Sequence, residues 1–527
     1  MMHFLHIRFF TQEGSRMTAT SSSSILKNKD VQSIFWICLL IFPLLFCLMP
    51  YSPLYRYCFS ADEVCYRTVS IGLLRGKLPY RDLFDHKGPL TYFIYALGFL
   101  ISRPSNWGTF IICYLINAAA FGFAYKTARL FLAERESLFS VILLLFFCTM
   151  TEENILTTGS KPENLLLLPL MVSVYLFIKY SVTKSAEEKN AEESHVIPCS
   201  RMYVIGIMCG AVFMIKLNVC LFYLAFVGCY FLWLLIRKMG KAFLSSVGVF
   251  LGGILTVCLP ILLFFYIRGG LSSFFDVYIV FNLKYAGGKD SFFYFAKRAI
   301  PMTAKVSLTI LILFCLLAFL PELLAKKKNV QKIIMFTLGL LVSVLLTAPF
   351  VCVYFYIVLV PCFLFGTNFI AKLLTDLLEE KTNAGQLSAI AGFVLVFMIV
   401  FQIYLVPYVP SKKTDYEMAI ESYAQTHPDA TYMTLGSLCY PIFDQHLQST
   451  PEFRMFYMPP FNNDEPLREQ METIASHKAD VVVFHESFED DEWNQSLIRY
   501  VEEQGYTSYV AFHAEKETEV TYMFVLK

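Results

Sequence analysis

Long apolar segments, separated by short polar connections, recur along most of the chain. A helix needs about 20 apolar residues to cross a bilayer, and about eleven segments approach that length. They start near Ile34, Phe110, Ser137, Asn164, Met202, Val219, Leu244, Ile300, Ile333, Phe350 and Leu387. The pattern therefore predicts a polytopic α-helical membrane protein with about 11 spans.

The basic residues of the connections set the predicted orientation, because Lys and Arg are retained on the cytoplasmic side of short loops. All of the basic connections fall on one side if the N-terminus is inside. They contain Lys126, Arg129 and Arg135; Lys179, Lys184, Lys189 and Arg201; Arg237, Lys238 and Lys241; Lys326 to Lys328; and Lys372 and Lys381. The loops that hold Glu163 and Asp276 then face outward.

The apolar run after Lys87, GPLTYFIYALGFLI, is short for a full crossing. Counting it as a span would reverse the orientation of every later loop. We therefore expect residues 89–102 to lie at the outer interface, or to form a re-entrant part of the first external loop.

The composition changes near Lys412 to that of a soluble protein with ordinary charge density. Segments such as TDYEMAIESYAQTH and ADVVVFHES alternate helical and strand patterns there. We predict a disordered cytoplasmic tail over residues 1–30, a membrane domain over 31–410 with its first external loop at 51–107, and a small extracytoplasmic α/β domain over 411–527.

The composition narrows the class of protein. Of 527 residues, 56% are apolar and 16% are charged, and the mean hydropathy is +0.55, which excludes a soluble globular protein. A net charge of +1 without a clustered basic face excludes nucleic acid as a partner. The fifteen cysteines lie mostly in apolar runs, so we predict no disulfide framework.

The polar chemistry is concentrated between Phe59 and Leu90, in FSADEVCYRTVSIGLLRGKLPYRDLFDHKGPL. Asp62 and Glu63 follow the first span and begin an amphipathic segment. A carboxylate held beside apolar surface gains proton affinity and can act as a general base. Acidic residues after Ser60 also stabilise the first turn of a helix, and the spacing alone leaves both interpretations open.

A second polar cluster follows in the same stretch. Arg81, His86 and Lys87 suit an anionic head group, because Arg binds two phosphate oxygens at once and Lys neutralises their charge. Interfacial basic residues are also common as plain membrane anchors. The carboxylates of Asp82 and Asp85 favour a structured site, since an anchor belt does not need them.

Two further ionisable groups lie next to predicted spans. Glu163, which follows Lys161 and Pro162, is a second acidic contributor, a metal ligand or a helix-capping residue, and the residues alone favour capping. Lys216 lies near the end of a span, where a lysine either extends to the interface or belongs to a functional site.

Together these residues resemble the GT-C superfamily of integral membrane glycosyltransferases, in particular the family-39-like and RgtA/B/C/D-like bacterial members related to protein O-mannosyltransferases and aminoarabinose transferases. The resemblance rests on Asp62 and Glu63 after the first span and on GKLPYRDLFDHKGPL from Gly76 to Leu90. Glu163, the KLN turn at Lys216 and the trailing soluble domain add weaker support. The resemblance covers most of the membrane region.

The resemblance implies inverting transfer of a sugar from a polyprenyl-phosphate donor to an acceptor hydroxyl, in the first extracytoplasmic loop of a multi-pass protein of the bacterial cytoplasmic membrane. Polyprenyl phosphate leaves readily, so the protein has to supply a base for the acceptor and positive charge for the departing phosphate. The implied catalytic residues are Asp62 as the base, Glu63 and Glu163; the implied phosphate ligands are Arg81, His86 and Lys87; and the implied substrate-binding residues are Tyr80, Asp82, Asp85 and Lys161.

The implied partners are the polyprenyl-phosphate-linked sugar donor, membrane lipid, and an acceptor glycan, lipid or protein. No cofactor is assigned, and a divalent metal at Glu163 stays open, because Asn164 follows it where several relatives have Asp. The alternative function is a transporter or flippase of lipid-linked glycans, although the internal repeats and mid-span ionisable residues typical of transporters are not clear in this sequence. A membrane anchor for an outer binding domain would not need about eleven spans.

Overall fold

A computed structural model describes residues 29–49, 52–54, 61–102, 106–150, 162–182, 196–287, 356–379, 415–435, 443, 451–456, 464–487, 492–513 and 519–526. Several sequence predictions lie outside these residues: the cytoplasmic tail up to residue 28, the segments that start near Ile300, Ile333 and Leu387, and the site residue Lys161.

The described part of the membrane region is mainly helical. Its helices are α1 Lys29–Leu48, α2 Ala61–Leu74, α3 Pro89–Ile101, α4 Trp107–Ala128, α5 Glu134–Met150, α6 Pro162–Val182, α7 Cys199–Ile215, α8 Cys220–Ile236, α9 Gly240–Ile267, α10 Leu271–Ser273, α11 Asn282–Gly287 and α12 Tyr356–Glu379. A single 3-10 turn, Leu217–Val219, joins α7 to α8, and a π-helix, Phe274–Phe281, joins α10 to α11.

Five stretches of helix are long and apolar enough to cross a bilayer: α1, α4, Pro162–Tyr180 within α6, Leu217–Ile236 and α9. Shorter apolar helices are α3, α7 and Phe363–Thr375 within α12. The part of the chain that the structure describes therefore contains several helices capable of spanning a membrane. The count of about 11 spans stays a prediction.

Helix α3 has 13 residues. At a rise of about 1.5 Å per residue it extends about 20 Å, which is less than the hydrocarbon core of about 30 Å. It packs against α2, α4 and α7, while Leu97, Leu100 and Ile101 remain exposed on its outer side. Its length is that of the short run seen in the sequence, and its placement at the outer interface stays a prediction.

Helices α7 and α9 form the most extensive helix pair of the described membrane region. Their backbones approach closely where two glycines meet. A Cβ atom on Gly206 would lie 2.2 Å from the Phe250 carbonyl oxygen, and one on Gly253 would lie 2.3 Å from that of Tyr203. Small residues allow this kind of contact between membrane helices, where van der Waals packing replaces the hydrophobic effect.

The described residues after the membrane region form three helices, α13 Asp415–Thr426, α14 Asp464–Ala475 and α15 Glu492–Glu503, and four strands, β1 Tyr432–Leu435, β2 Val481–Ser487, β3 Tyr506–His513 and β4 Glu519–Leu526. The strands form one sheet in the order β1-β2-β4-β3, in which β1 and β2 are parallel and the other pairs are antiparallel. Its position outside the cytoplasm stays a prediction.

The sheet contributes to two cores, because successive side chains of a strand point to opposite faces. Val482 and Phe484 pack into a core beneath the helices α14 and α15. Val481 and Val483 pack into a second core that also contains side chains from α2, α3, α9 and the loop between α2 and α3. The C-terminal sheet therefore lies against the loop that carries most of the predicted site.

Candidate active site

The loop between α2 and α3 folds into a tight turn that its own residues close. The Tyr80 amide donates to the Leu83 carbonyl at 2.8 Å, and Tyr80 has a positive φ of 71°. The Asp82 carboxylate accepts from the Leu78 amide at 2.7 Å, and the Asp82 amide donates to the Leu78 carbonyl at 2.9 Å. Asp82 thus stabilises the turn with both its side chain and its main chain.

Arg81 lies on the outer side of this turn. Its guanidinium donates two hydrogen bonds to Asp82, at 2.7 and 2.8 Å, and a third to the Arg268 carbonyl at 2.8 Å. The Arg81 side chain is 41% exposed and that of Asp82 is 29% exposed. These contacts connect the loop to the end of α9, while the implied roles of both residues in binding substrate stay predictions.

The main chain at residues 86 and 87 is held by three surrounding elements. The Lys87 carbonyl accepts from the Tyr80 hydroxyl at 2.7 Å and from the Tyr92 hydroxyl at 3.3 Å. The His86 carbonyl accepts from the side-chain Nδ2 of Asn282 at 2.7 Å. The loop, α3 and α11 therefore fix the position of this short segment.

Gly88 brings the loop against the end of α7. Its amide donates to the Ile215 carbonyl at 3.0 Å. A Cβ atom at this position would lie 2.2 Å from the Met214 carbonyl oxygen, so only glycine permits this approach. The contact places Lys87 beside Lys216, which directly follows α7.

Asp85, His86 and Lys87 form a chain of polar contacts. The Tyr92 hydroxyl donates to Asp85 Oδ2 at 2.9 Å, and the His86 amide donates to Asp85 Oδ1 at 2.7 Å. His86 Nδ1 lies 3.5 Å from Asp85 Oδ1, and His86 Nε2 lies 3.0 Å from Lys87 Nζ. Because the Lys87 ammonium can only donate, Nε2 is the acceptor and the imidazole proton sits on Nδ1.

Burial shifts the pKa values of Asp85 and His86. It raises the pKa of the Asp85 carboxyl, which is 2% exposed, although the charge of Lys87 and the Tyr92 hydrogen bond oppose it. Burial also lowers the pKa of His86 well below its ordinary value of 6.5, and the charges of Lys87 and Lys216 add to this effect. His86 is therefore neutral at physiological pH.

Glu163 and Lys216 form an ion pair near the polar contacts of Asp85, His86 and Lys87. Glu163 lies in the first turn of α6, where an acidic side chain is favoured by the helix dipole. The ammonium of Lys216 donates to Glu163 Oε1. The Lys216 side chain is 14% exposed, and the Glu163 side chain is 8% exposed. The sequence suggested capping for Glu163, and the structure adds this buried partner.

Asp62 and Glu63, the two acidic residues in the first turn of α2, differ in burial. Glu63 is fully buried, whereas Asp62 is only half-buried in the first turn of the helix. The charge of Asp62 adds to the effect of burial in raising the pKa of Asp85. Asp62 is thus the member of the pair that combines solvent access with proximity to the polar chain.

Tyr66 is a buried aromatic side chain next to Lys87. It is buried on α2, and Lys87 Nζ lies 5.9 Å from the centre of its ring. Burial raises the pKa of its hydroxyl, and the charges of Asp62, Asp85 and Glu163 raise it further. The sequence analysis did not single out Tyr66, although its position four residues after Asp62 places both on one side of α2.

Solved structures with the same architecture identify the fold. The chain matches ArnT from Cupriavidus metallidurans bound to undecaprenyl phosphate with a TM-score of 0.56 at 12% identity, over 94% of this chain and 97% of that one. The same protein in the apo state matches with a TM-score of 0.52 at 10% identity, over the same shares of the two chains. This chain has a GT-C fold. The resemblance inferred from the sequence is thereby confirmed.

The GT-C fold is accompanied by a match to a family model. Residues 86–265 match the model of dolichyl-phosphate-mannose-protein mannosyltransferases. The matched range begins at His86 and contains Lys87, Glu163 and Lys216, whereas Asp62 precedes it. No curated protein matches the sequence at a significant level.

The described residues contain no group of three or more His, Cys, Asp or Glu side chains arranged to hold a metal ion. Glu163, the residue for which a metal had stayed open, binds the ammonium of Lys216. A role for a divalent metal stays a prediction.

Proposed function

We propose that this chain is a membrane glycosyltransferase that moves a sugar from a polyprenyl-phosphate donor to an acceptor hydroxyl, with inversion, on the outer face of the membrane. The observation that carries the proposal is the position of the Lys87 ammonium, 3.0 Å from His86 Nε2 and 5.9 Å from the centre of the Tyr66 ring on α2, the helix whose first turn contains Asp62. A cation for the leaving group and a carboxylate for the acceptor then belong to one site.

Two similarities support the lipid part of the donor. The matching family model is named for dolichyl-phosphate-mannose, and ArnT was solved with undecaprenyl phosphate. Both molecules are polyprenyl phosphates, so they share an anionic phosphate and a long apolar chain. Lys87 at the start of the matched range is the residue that we assign to this phosphate.

The proposed reaction is a direct displacement at the anomeric carbon. The acceptor oxygen attacks this carbon from the side opposite the phosphate and forms the new C–O bond. The bond between the anomeric carbon and the phosphate oxygen breaks, and its electron pair leaves with the polyprenyl phosphate. The acceptor proton passes to Asp62, so the transfer needs no other reactant.

Lys87 stabilises the negative charge that develops on the departing phosphate. An ammonium has three N–H donors, and in this proposal one binds Nε2 of neutral His86 while the others bind phosphate oxygens. Since His86 is neutral, its role is to hold the ammonium in place, and the positive charge is that of Lys87. Preorganised donors of this kind are most effective in a site that excludes water.

Asp62 suits the role of base better than Glu163 does. The Glu163 carboxylate already accepts a hydrogen bond from the Lys216 ammonium and is buried, so it is less available to an acceptor hydroxyl. Asp62 lies in the first turn of α2 and is half-exposed, so an acceptor hydroxyl can approach it. We therefore assign Glu163 to the orientation of Lys216 beside the phosphate.

The test is transfer of labelled sugar from a panel of polyprenyl-phosphate sugars, with purified wild-type protein and Asp62→Asn. We expect wild type to use at least one donor, with inverted configuration at the anomeric carbon by NMR. Asp62→Asn should lose on the order of 100-fold or more in rate.

The matched control for this test is Asp276→Asn, which neutralises an exposed acidic residue on the π-helix. It should transfer at the wild-type rate. Retention of full transfer by a folded Asp62→Asn protein would exclude Asp62 as the base. No transfer by wild type from any donor would contradict the proposed function as a whole.

A further inference from the structure

A short segment of the C-terminal region, residues 451–456, contacts the main chain of the site loop directly. The Phe84 amide donates to the Arg454 carbonyl at 2.9 Å. The Arg454 side chain donates through Nε to the Tyr80 carbonyl at 3.0 Å, and its guanidinium lies 5.2 Å from the centre of the Phe84 ring. Arg454 therefore contacts the loop through its main chain, through a hydrogen-bonding nitrogen and through the face of its guanidinium.

Tyr80 is the residue at which this contact matters most. Its φ of 71° lies in the left-handed region, which a tyrosine adopts only when its surroundings hold it there. Its side chain is fully buried, and its hydroxyl donates to the Lys87 carbonyl at 2.7 Å. The Arg454 hydrogen bond thus acts on the main chain of the residue whose side chain supports Lys87.

Arg454 is itself oriented from within the C-terminal region. Its Nη1 lies 2.9 Å from Oε2 of Glu469 on α14, and both side chains are about one third exposed. A second contact joins the same segment to the loop, because Lys77 lies 3.5 Å from Glu452 and donates to the Pro451 carbonyl. The Glu452 side chain is 59% exposed, so the pair with Glu452 is more strongly screened than the contact made by Arg454.

We propose that Arg454 is a positioning residue of the active site and that Glu469 orients it. Through Tyr80 and Phe84 it fixes the loop that presents Lys87, so the C-terminal region forms part of the catalytic unit. This inference rests on the proposed function, since Lys87 is the residue assigned to the donor phosphate. Displacing a catalytic group by about 1 Å is enough to cost about 100-fold in rate, which is why a contact outside the reacting atoms has a measurable effect.

The experiment compares Arg454→Ala, Arg454→Lys and Glu469→Gln in full-length protein, with Arg468→Ala as the matched control. Arg468 lies on α14 and pairs only with exposed Glu472 at 3.6 Å among the contacts of the described residues. Rates are normalised to the folded protein recovered. We expect Arg454→Ala to lower kcat/KM for the donor by about 10- to 100-fold, with KM for the acceptor unchanged.

The other variants should lower kcat/KM according to the contacts that they remove. Arg454→Lys keeps the charge near Glu469 but lacks the planar fork, so its loss should be intermediate. Glu469→Gln should lose less than either, and Arg468→Ala should match wild type. A loss of folded protein that leaves the kcat/KM of the remainder unchanged would assign Arg454 to stability alone and overturn the proposal.

Hydrogen exchange supplies a measurement that does not depend on activity. The amides of residues 76–88 should exchange faster in Arg454→Ala than in Arg468→Ala, because the main chain at Tyr80 loses its external support. Equal exchange in the two variants would overturn the inference, even if no donor were transferred. Inactive wild type with faster exchange in Arg454→Ala would contradict the proposed function while supporting the connection between Arg454 and the loop.

Discussion

The loop between α2 and α3 carries two charged clusters that look alike in the sequence and differ in their surroundings. Arg81 and Asp82 pair on its outer side, where their side chains are 41% and 29% exposed. Asp85 and His86 lie on its inner side, where theirs are 2% and 12% exposed. Lys87 follows His86 and contacts it at 3.0 Å.

The two clusters differ in their exposure to water, and this difference gives them different roles. An exposed ion pair is screened and contributes little, so the Arg81–Asp82 pair serves mainly to close the turn and to contact Arg268. In the inner cluster, burial strengthens each interaction, raises the pKa of Asp85 and lowers the pKa of His86. The inner cluster is therefore the part of the loop in which charge can act on a substrate.

The largest expected effect comes from removing the inner cation. Lys87→Met should lower the transfer rate on the order of 100- to 1000-fold, because the departing phosphate loses a preorganised donor. Arg81→Met removes the same charge from the outer cluster and should stay within about fivefold of wild type. The measurement is the initial rate of transfer from the donor that wild type uses.

Both variants should be tested for folding by gel filtration before their rates are compared. A loss in Arg81→Met as large as that in Lys87→Met would show that the outer cluster also binds the phosphate, as the family resemblance implies. The distinction between the two clusters would then be wrong.

A second comparison concerns ion pairs and stability. Glu163→Gln leaves the Lys216 ammonium, 14% exposed, without its carboxylate. Breaking a buried pair from one side costs about 3 kcal/mol, because the remaining charge is poorly solvated. We expect a clear decrease in the thermal unfolding temperature of the purified protein, and a partial recovery in the double variant Glu163→Gln, Lys216→Met.

The control is Glu472→Gln, which breaks the exposed pair of Arg468 and Glu472 on α14. The two side chains of this pair are about three-quarters exposed, so loss of the pair should leave the unfolding temperature unchanged. An equal decrease in both variants would contradict the assignment of the Glu163–Lys216 pair to a buried site.

Sequence patterns predicted the features that depend on neighbouring residues. The apolar run that begins near Ile34 forms α1, and the run near Leu244 forms α9. The acidic pair at Asp62 begins a helix, as its position after Ser60 suggested. Periodicity and helix-start chemistry are local, so they can be recognised before the fold is known.

Other features depend on contacts between distant parts of the chain. Asn282 binds the His86 carbonyl, and Arg454 binds the Tyr80 carbonyl, although nothing near either residue in the sequence indicates this. Spacing also could not separate Arg81 from Lys87, because Lys87 is less exposed than Arg81 and the neighbouring Gly88 contacts the end of α7, which is distant in the sequence. The assigned roles of Asp62 and Lys161 stay predictions.

The smallest expected effect is a pH dependence of protein stability that arises from His86 in the inner cluster. Folding lowers the pKa of His86 well below 6.5, so between these two values the unfolded state binds more protons. Its contribution to stability is therefore complete above pH 6.5 and is lost as the pH falls through the folded pKa. We expect a loss of about 1 kcal/mol between about pH 7.5 and about pH 5.5.

The His86→Gln variant isolates this effect, because its amide oxygen can still accept from Lys87 but does not titrate. Asp85 acts with the opposite sign, since its raised pKa favours folding at low pH, and it is present in both proteins. The fall in thermal unfolding temperature on acidification should thus be smaller in His86→Gln than in wild type. His427→Gln, at an exposed position after α13, should behave as wild type does. Equal slopes in wild type and His86→Gln would mean that His86 is not held neutral by burial.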